Sequence, residues 1–184
     1  MTSTNPPLAS APALETERLR LRGLRASDLD AFHAMYADPL VYRFLAPKAL
    51  TREEAWARML RLSGLWVLAG YGYWALEDKA SGALAGIAGF AEFHRTITPS
   101  IAGKPEFGWA LASAFHGKRL STEAVTAIQA WGDKTLQSDE TSCIIATRNE
   151  PSIYLGHKIG FKTIGECLYS DEPHLVMSRT RQSH

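Results

Sequence analysis

Two segments of the chain carry residue types and spacings that could do chemistry. In the first, residues 115–122 read Phe-His-Gly-Lys-Arg-Leu-Ser-Thr and connect a predicted strand over 105–111 to a predicted helix over 121–135. The start of a helix presents unpaired backbone N–H groups and the positive end of the helix dipole, which together attract phosphate. Lys118 and Arg119 add positive charge at this point. The segment therefore predicts a site for a phosphate-bearing cofactor.

The glycine spacing of this loop argues against two common nucleotide-binding motifs. Gly117 stands alone, so the loop has neither the spacing of a Walker P-loop nor the G-x-G-x-x-G pattern of dinucleotide-binding folds. An ordinary helix start, with Ser121 or Thr122 as the N-cap residue, is the alternative interpretation of the loop taken by itself. A second motif is needed to choose between the two interpretations.

The second segment covers residues 147–161 and follows a strand-like run at 142–146. Asn149 is a favourable helix N-cap, and Pro151 is tolerated in the first turn because its missing N–H would have had no partner there. Gly160 is a typical residue for ending the helix. The segment therefore predicts another strand followed by a loop and a helix, with Asn149 at the helix start.

Together, the two segments resemble the GNAT superfamily of acyl-CoA-dependent N-acyltransferases, and within it the ribosomal-protein N-terminal (RimJ/RimL-like) acetyltransferases. In that branch the loop reads Gly-Lys-Gly-Tyr-x-Thr-Glu-Ala, which is similar to residues 117–124 here, and the second element reads Asn-x-x-Ser…Lys-x-Gly-Phe, which is similar to residues 149–161. Further segments match the family in order along the chain: an opening strand at 15–22, helices at 28–37 and 41–45, a hairpin at 81–89 and the cleft strand at 106–109.

The resemblance implies an α/β (α+β) fold with a central mixed sheet, mostly antiparallel, of six to seven strands. About four helices are expected to flank the sheet, which should split open between strands four and five. Local patterns add detail. A Thr51–Glu54 capping box predicts a helix to about residue 63, and alternating leucine and arginine over 18–24 predicts a half-exposed strand.

The resemblance also implies acetyl-CoA as the cofactor and acetyl transfer to a primary amine, either a peptide or protein N-terminus or a small amine. Direct attack in a ternary complex is the expected mechanism. The pyrophosphate of CoA is expected on the backbone of 115–122, with the pantetheine arm along the edge of the 106–111 strand. The expected cofactor-binding residues are Trp109, Ala110, Leu111, His116, Gly117, Lys118, Arg119, Leu120, Ser121, Thr122, Asn149 and Ser152. No metal is expected.

The phosphate loop departs from the family pattern at two positions. Arg119 replaces the second glycine, and Leu120 replaces the aromatic residue that follows it. Glycine is used where the backbone approaches a ligand closely or takes a positive φ. We expect Arg119 to keep a helical backbone and direct its guanidinium toward a phosphate. A solvent-facing Arg119 with weakened cofactor binding is the alternative.

The expected catalytic residues are Ser152, Glu106 and Asn149. Ser152 lies in the first helical turn after Asn149, from where its hydroxyl could give a proton to the CoA sulfur, while Asn149 orients the pantetheine. Many GNAT enzymes use a tyrosine seven residues after this asparagine, but here that position is Gly156, which is expected to leave room for a bulky acyl group or substrate. Glu106 is the first candidate for the general base, acting directly or through a water.

Several alternatives stay open. His94 is the second candidate for the base, because an imidazole titrates near neutrality. Asp171, Glu172 and His174 precede or begin the last strand and could recognise a cationic amine. Besides the enzyme, the sequence permits a GNAT-fold module that binds CoA or a partner without catalysis. A phosphate-binding domain unrelated to CoA is a third possibility, which the second motif disfavours.

Composition indicates one globular domain. The chain has 184 residues, of which 46% are hydrophobic, and its net charge of +1 gives no electrostatic reason for a nucleic-acid partner. Cys143 and Cys167 are expected to be core residues, not a disulfide or metal site. Residues 1–13 are expected to form a disordered lead-in to a single domain over 14–184. With no signal peptide or apolar membrane span evident, we expect a cytoplasmic monomer or homodimer.

Overall fold

The computed structural model describes residues 10–181, which contain eight β-strands and five α-helices. Their bounds in chain order are β1 Leu14–Glu15, β2 Leu19–Arg22, α1 Leu29–Ala37, α2 Pro39–Tyr42, α3 Arg52–Ala69, β3 Tyr73–Asp78, β4 Leu84–Ala91, β5 Glu106–Leu111, α4 Leu120–Thr135, β6 Glu140–Ala146, α5 Glu150–Lys158, β7 Lys162–Tyr169 and β8 Glu172–Thr180.

All eight strands form one sheet in the order β1-β2-β3-β4-β5-β6-β8-β7. Every neighbouring pair is antiparallel except β5 and β6, which are parallel and are in register only at Glu106 and Ser142. Beyond that point the two strands diverge. The predicted split sheet is therefore confirmed. It lies between the fifth and sixth strands because the two-residue β1 adds one strand at the edge.

Helices cover both faces of the sheet. Since successive strand residues point to opposite faces, each central strand contributes side chains to two cores. On β3, Trp74 and Leu76 belong to the core under α4, whereas Tyr73 and Ala75 belong to the core under α1 and α3. Helix α4 presents its apolar residues at helical spacing, at Leu120, Ala124, Val125 and Ile128, and all four are buried. The two cores thus fix the sheet between helices on both faces.

The capping box at Thr51 and Glu54 is confirmed, but α3 continues to Ala69, six residues past its predicted end. The extra turns are stabilised by Trp66, which is buried and donates its indole N–H to the carbonyl of Tyr73 at 3.0 Å. Gly70 then ends the helix with φ of 76°. The extension thus anchors the end of α3 against the sheet at the start of β3.

The prediction of a half-exposed strand over 18–24 is confirmed only in part. Arg22 is buried, and its guanidinium donates to both carboxylate oxygens of Asp28 at 2.8 Å. The same guanidinium donates to Glu77 at 2.6 Å. An arginine can be buried when it is paired and hydrogen-bonded in this way. The strand therefore buries residues on both faces at its end.

Of the predicted lead-in, residues 1–9 lie outside the described part of the chain. Residues 10–13 contact the domain, where the carbonyl of Pro12 accepts a hydrogen bond from the Trp74 indole at 2.8 Å. Cys143 is buried, as expected of a core residue, but Cys167 is only half-buried, and both thiols are free. Within residues 10–181, no helix combines the length and apolarity needed to cross a membrane.

Candidate active site

Two cavities open where β5 and β6 diverge. The loop cavity, of about 360 Å³, lies beside the 115–121 loop. The helix cavity, of about 410 Å³, lies between the sheet and helices α1 and α3. They share a region that we call the junction, which is lined by Phe44, Leu45, Trp109, Ala110, Asn149 and Ser152. Two ligands bound in the two cavities would meet at the junction.

The sheet leaves one edge of β5 without a strand partner. Along its other edge, β5 pairs with β4 from Glu106 to Leu111, whereas toward β6 it is in register only at Glu106. Backbone N–H and C=O groups on an open edge can pair with an extended ligand as an added strand would. Trp109, Ala110 and Leu111 line the loop cavity at this edge. This edge fits the predicted position of a pantetheine arm.

The loop that precedes α4 takes two positive φ angles, 73° at Gly117 and 60° at Arg119. The expectation that Arg119 keeps a helical backbone is therefore wrong, because Arg119 adopts the left-handed conformation that glycine takes easily. The alternative interpretation, in which Ser121 or Thr122 is the N-cap, is also wrong. Arg119 itself is the N-cap, and no side chain caps the helix. The first-turn N–H groups are thus left for an anion.

Of the twelve predicted cofactor residues, nine line the loop cavity, while Lys118, Leu120 and Thr122 do not. Leu120 is a buried core residue. His116 is held to the end of β5, because its Nε2 lies 2.9 Å from the carbonyl oxygen of Leu111, which can only accept. Arg43, from the segment after α2, joins the lining without having been predicted. The loop cavity thus combines basic groups at the uncapped helix with a largely apolar wall.

Glu123 fastens this loop to the opening strand. Its carboxylate accepts from the hydroxyl of Thr16 at 2.5 Å and from the backbone N–H of Arg18 at 2.7 Å. Arg18 also donates to the carbonyl of Lys118 at 3.0 Å. Burial raises the pKa of Glu123, but these hydrogen bonds outweigh it and the net pKa is lowered. Sequence reasoning gave Glu123 no role, because a helical glutamate does not reveal a partner more than a hundred residues away.

Asn149 is the N-cap of α5, as predicted, and Pro151 lies in the first turn. The Asn149 Oδ1 accepts from the backbone N–H of Ser152 at 3.4 Å, which leaves the two N–H donors of the amide for other partners. Asn149 and Ser152 both line the junction and are half-buried. The structure thus brings two of the three predicted catalytic residues to the place where the cavities meet.

Gly156 does not open space in either cavity. It is buried, and a Cβ at this position would meet Ile145 and Met177 at 3.5 Å, an ordinary contact distance. The expectation that Gly156 leaves room for an acyl group or substrate is therefore wrong, because the residue faces the sheet. Tyr154, two positions earlier, is exposed and also outside both linings.

This placement gives a stability prediction for Gly156→Ala. Alanine is better than glycine by about 1 kcal/mol in a helix interior, and the new methyl group fits without a clash. We expect a higher melting temperature, by roughly 2–4 °C for a chain of this size, and no change in the acetyl transfer that the resemblance implies. Calorimetry and steady-state kinetics of the variant check both parts. A loss of activity at unchanged stability would show that Gly156 does contribute to the active site.

Glu106, the predicted base, is buried and lines the helix cavity. Its two carboxylate oxygens accept from Nε and Nη2 of Arg95 at 2.6 and 2.9 Å. Arg95 is further held between the rings of Phe93 and Tyr169, at 4.8 and 4.2 Å. His94, the second candidate, is exposed and lines neither cavity. Glu106 is therefore placed at the site, but with both oxygens engaged.

His174 lines the helix cavity, whereas the two acidic residues before it do not. Asp171 is exposed in a turn, and Glu172 forms an ion pair with Arg148. The Nδ1 of His174 lies 2.9 Å from the carbonyl oxygen of Glu172. Since a carbonyl oxygen can only accept, Nδ1 carries the proton of the neutral ring, and Nε2 keeps a lone pair. Nε2 of His174 could therefore accept a proton, whereas sequence reasoning considered His174 only for binding.

Arg58 and Arg61 of α3 also line the helix cavity. Sequence reasoning assigned them no role. The signal available was their spacing, since residues three apart on a helix share a face. The predicted helix did reach Arg61, but a helical pattern cannot show what faces the helix across a cavity.

Neither cysteine lines either cavity. Burial raises the pKa of the Cys143 thiol far above its ordinary value, and the carboxylate of Glu106 raises it further. A thiol kept protonated in this way is a poor nucleophile. The site is therefore unsuited to forming an acyl-cysteine.

Comparison with known proteins agrees with this arrangement. The family model described as "Acetyltransferase (GNAT) domain" matches residues 18–162. The chain is 25% identical to YoaA of Bacillus subtilis, named as an uncharacterized N-acetyltransferase, over 84% of this chain and 85% of YoaA. It is 31% identical to a solved GNAT-family acetyltransferase from Bordetella pertussis, with a TM-score of 0.81 over 92% of this chain and all of the other.

A second solved structure shares the fold. It is the ribosomal-protein-S5-alanine acetyltransferase of Vibrio fischeri, which is 22% identical, with a TM-score of 0.75 over 94% of this chain and 98% of the other. The match to the family model covers most of the chain, and the Bordetella pertussis structure shares both sequence and fold with it. The split sheet, the glycine-containing loop before α4 and these matches lead to one conclusion: the chain belongs to the GNAT family of acetyltransferases.

Proposed function

We propose that this protein is an acetyl-CoA-dependent N-acetyltransferase that transfers an acetyl group to a primary amine by direct attack in a ternary complex. The observation that supports this most is the junction, where two separate cavities meet at Asn149 and Ser152. An enzyme that binds cofactor and acceptor together needs two cavities that meet at the reacting atoms. Holding two reactants in attack geometry can by itself supply a large part of the rate.

The loop cavity fits acetyl-CoA. Backbone N–H groups at the start of α4 would hold the pyrophosphate, with the guanidinium of Arg119 as auxiliary charge. The open edge of β5 and the side-chain amide of Asn149 would hold the pantetheine. When bound, the cofactor supplies an acetyl thioester, whose carbon–sulfur bond breaks as the acceptor nitrogen bonds to the acetyl carbon. This arrangement directs the thioester from the loop cavity to the junction.

Two proton transfers accompany the reaction. The hydroxyl of Ser152 would give a proton to the CoA sulfur and regain one from water. The attacking amine must lose a proton, and His174 and Glu106 are the candidates to accept it. Both oxygens of Glu106 already accept hydrogen bonds from Arg95, whereas Nε2 of His174 has a lone pair. The geometry therefore favours His174 as the direct acceptor, and Glu106 stays a prediction.

The ribosomal-protein N-terminal branch is the part of the family that we propose for this chain. Its support is the Asn149-x-x-Ser152 spacing, in which serine takes the place of the tyrosine used elsewhere in the family, and the shared fold of the Vibrio fischeri enzyme. The acceptor is then a peptide or protein N-terminus, or a small amine. We also keep the predictions of a single domain over 14–184, a cytoplasmic location, and a monomer or homodimer.

The proposal is tested by measuring CoA release from acetyl-CoA with a panel of amines and N-terminal peptides. Turnover with at least one amine, together with a mass increase of one acetyl group on its nitrogen, supports an N-acetyltransferase. CoA binding by calorimetry without turnover on the whole panel would favour the alternative, a GNAT-fold module without catalysis. Arg119 and Gly156 are the features that keep this alternative open, and both are accommodated in the fold: Arg119 takes the left-handed conformation that glycine takes easily, and Gly156 lies in the core.

The loop also gives a prediction for Gly117→Val. A Cβ at Gly117 would meet nothing within 4 Å, so the effect of the substitution is backbone strain, since φ is 73°. A β-branched residue in this conformation costs roughly 1–2 kcal/mol, and the loop relieves that strain by changing shape. We expect CoA affinity to fall about tenfold, as measured by isothermal titration.

The matched controls for this prediction are Arg119→Ala and Arg119→Gly. Alanine keeps the strain already present at Arg119 and removes one charge, so a smaller loss of affinity is expected. Glycine removes the strain as well, so stability should not fall. Unchanged CoA affinity in a folded Gly117→Val protein would show that the cofactor does not lie on this loop.

A further inference from the structure

The helix cavity is lined by more positively than negatively charged side chains. Its walls contain three arginines, Arg58, Arg61 and Arg95, but only one carboxylate, that of Glu106. Arg95 donates to both oxygens of Glu106, so these two side chains neutralise each other. Arg58 and Arg61 are left as two positive charges on one wall. The cavity that the acceptor would enter is therefore cationic.

Arg58 and Arg61 are held in place by aromatic rings. The guanidinium of Arg58 lies 4.7 Å from the ring centre of Tyr36, and that of Arg61 lies 5.3 Å from the ring centre of Phe93. Within residues 10–181, neither guanidinium pairs with a carboxylate. A guanidinium that lies over a ring keeps its N–H donors in its own plane, where they can bind a planar anion. The two side chains are therefore positioned without being neutralised.

The two guanidiniums line the same cavity, because Arg58 and Arg61 are three residues apart on α3 and share a face. Burial raises the pKa of Tyr36, and the charges of both Arg58 and Arg61 oppose that rise. Burial and the charge of Glu106 raise the pKa of Tyr73, which Arg58 and Arg95 oppose. Arg58 therefore influences hydroxyl groups on two neighbouring elements, α1 and β3. Positive charges that converge in one place repel each other unless a ligand neutralises them.

We propose that the acceptor carries a carboxylate a few bonds from its primary amine, and that Arg58 and Arg61 bind this carboxylate while the amine reaches the junction. This inference rests on the proposed function. A cavity of about 410 Å³ suits a compact ligand. Two kinds of molecule share the required chemistry: a free amino acid with its α-carboxylate, and a peptide with an acidic side chain next to its N-terminus.

The two guanidiniums would also assist the reaction. A positive environment disfavours the ammonium form of a bound amine, so more of the amine is present in the neutral form that attacks. A simple monoamine, which gains no compensating contact, is repelled while it is protonated. An acceptor with a carboxylate satisfies the arginines and still presents a neutral amine. The charge of the wall therefore selects for acceptors with both groups.

The experiment compares matched pairs of acceptors in which a carboxylate is replaced by a neutral amide, with rates referred to the concentration of unprotonated amine. One arm measures free amino acids against their carboxamides. The other measures short peptides with Asp or Glu as the second residue against the same peptides with Asn or Gln. A charge-assisted bidentate contact predicts a kcat/KM about tenfold to hundredfold higher for the acid than for the amide in one of the arms. The arm that shows the difference identifies the kind of acceptor.

Variants locate the effect. Arg58→Gln and Arg61→Gln should each reduce the preference for the acid, and the double variant should abolish it. Arg52→Gln makes the same change on the same helix outside the cavity, and should leave the preference intact. Arg61 is exposed, so Arg61→Gln is expected to fold. This variant keeps the proposal testable if Arg58→Gln, which removes the contact with the Tyr36 ring, does not fold. Equal rates for acids and amides, or a preference that survives the double variant, would overturn the proposal.

Binding is measured alongside turnover, so that the two proposals can fail separately. Calorimetry of each acid and amide with the CoA-bound protein reports recognition of the carboxylate whether or not acetyl transfer occurs. Selective binding of the acids that depends on Arg61, with no turnover, would uphold the anion site and reject the transferase. Turnover of acids and amides at equal kcat/KM and equal affinity would uphold the transferase and reject the anion site.

Discussion

Replacing Ser152 with alanine should lower kcat strongly while leaving the affinity for CoA nearly unchanged. A positioned proton donor is typically worth about 10²–10⁴-fold in rate, and the Ser152 hydroxyl is the donor that we propose at the junction. The substitution should not disturb the start of α5, because the hydrogen bond to Oδ1 of Asn149 comes from the backbone N–H of Ser152, which alanine keeps. The measurement is kcat at saturating acetyl-CoA with the best acceptor found.

Two further variants serve as controls for Ser152→Ala. Asn149→Ala removes the cap of α5 and the pantetheine contact, so CoA binding should weaken and stability should fall by roughly 1 kcal/mol. Ser121→Ala makes the same chemical change at the far end of the loop cavity, and should leave kcat alone. If kcat of Ser152→Ala stays within about twofold of the parent, solvent protonates the thiolate and positioning alone drives the reaction.

The local part of this fold could be predicted because each signal lies within a few residues. Asn149 caps α5, Gly160 follows the end of that helix with φ of 96°, and the Thr51 capping box begins α3. In each of these cases a short-range hydrogen bond or a single backbone angle decides the structure. The order of such elements then carried the resemblance to a family, from which the split sheet and the position of its cleft were expected.

Errors arose where a residue's neighbours decide its conformation. Arg119 takes a positive φ because the loop geometry requires one, although an arginine in a sequence gives no sign of it. Gly156 was assigned to the cleft by counting from Asn149, yet the face that it occupies packs on Ile145 and Met177. Counting residues along a helix gives a direction relative to that helix, but the sheet determines which direction faces the ligand.

The acceptor side was the least predictable, because it is assembled from segments that are distant in sequence. Arg58 comes from α3, Arg95 from the segment after β4, and His174 from β8. None of the three belongs to a local motif. The pairing of Arg95 with Glu106 changes what Glu106 can do, and it spans eleven residues through a loop of no regular pattern. Only the folded structure shows which charges are neutralised and which are free.

The final prediction concerns the group that accepts the proton of the amine. A base must be unprotonated to act, so the rate falls at acidic pH, and removing the base flattens that limb of the pH–rate profile. We expect His174→Gln to flatten the limb and to lower kcat/KM by about 10²–10⁴-fold at neutral pH. Glutamine places its amide near the position of Nε2 and not of Nδ1, so a thermal melt of the variant checks that the hairpin keeps its shape without the bond to the carbonyl of Glu172.

Glu106→Gln is the companion variant, because it removes the carboxylate that pairs with the half-buried Arg95 but keeps a carbonyl oxygen that can accept from it. Losing the negative charge of this pair is expected to cost about 1–3 kcal/mol of stability, and activity falls with it, but the acidic limb should persist. Arg95→Gln separates the two roles of Glu106. If Glu106 only positions Arg95, both variants lose activity alike and keep the limb. If Glu106→Gln flattens the limb while Arg95→Gln and His174→Gln retain it, Glu106 is the base, as the sequence first suggested, and His174 only shapes the cavity.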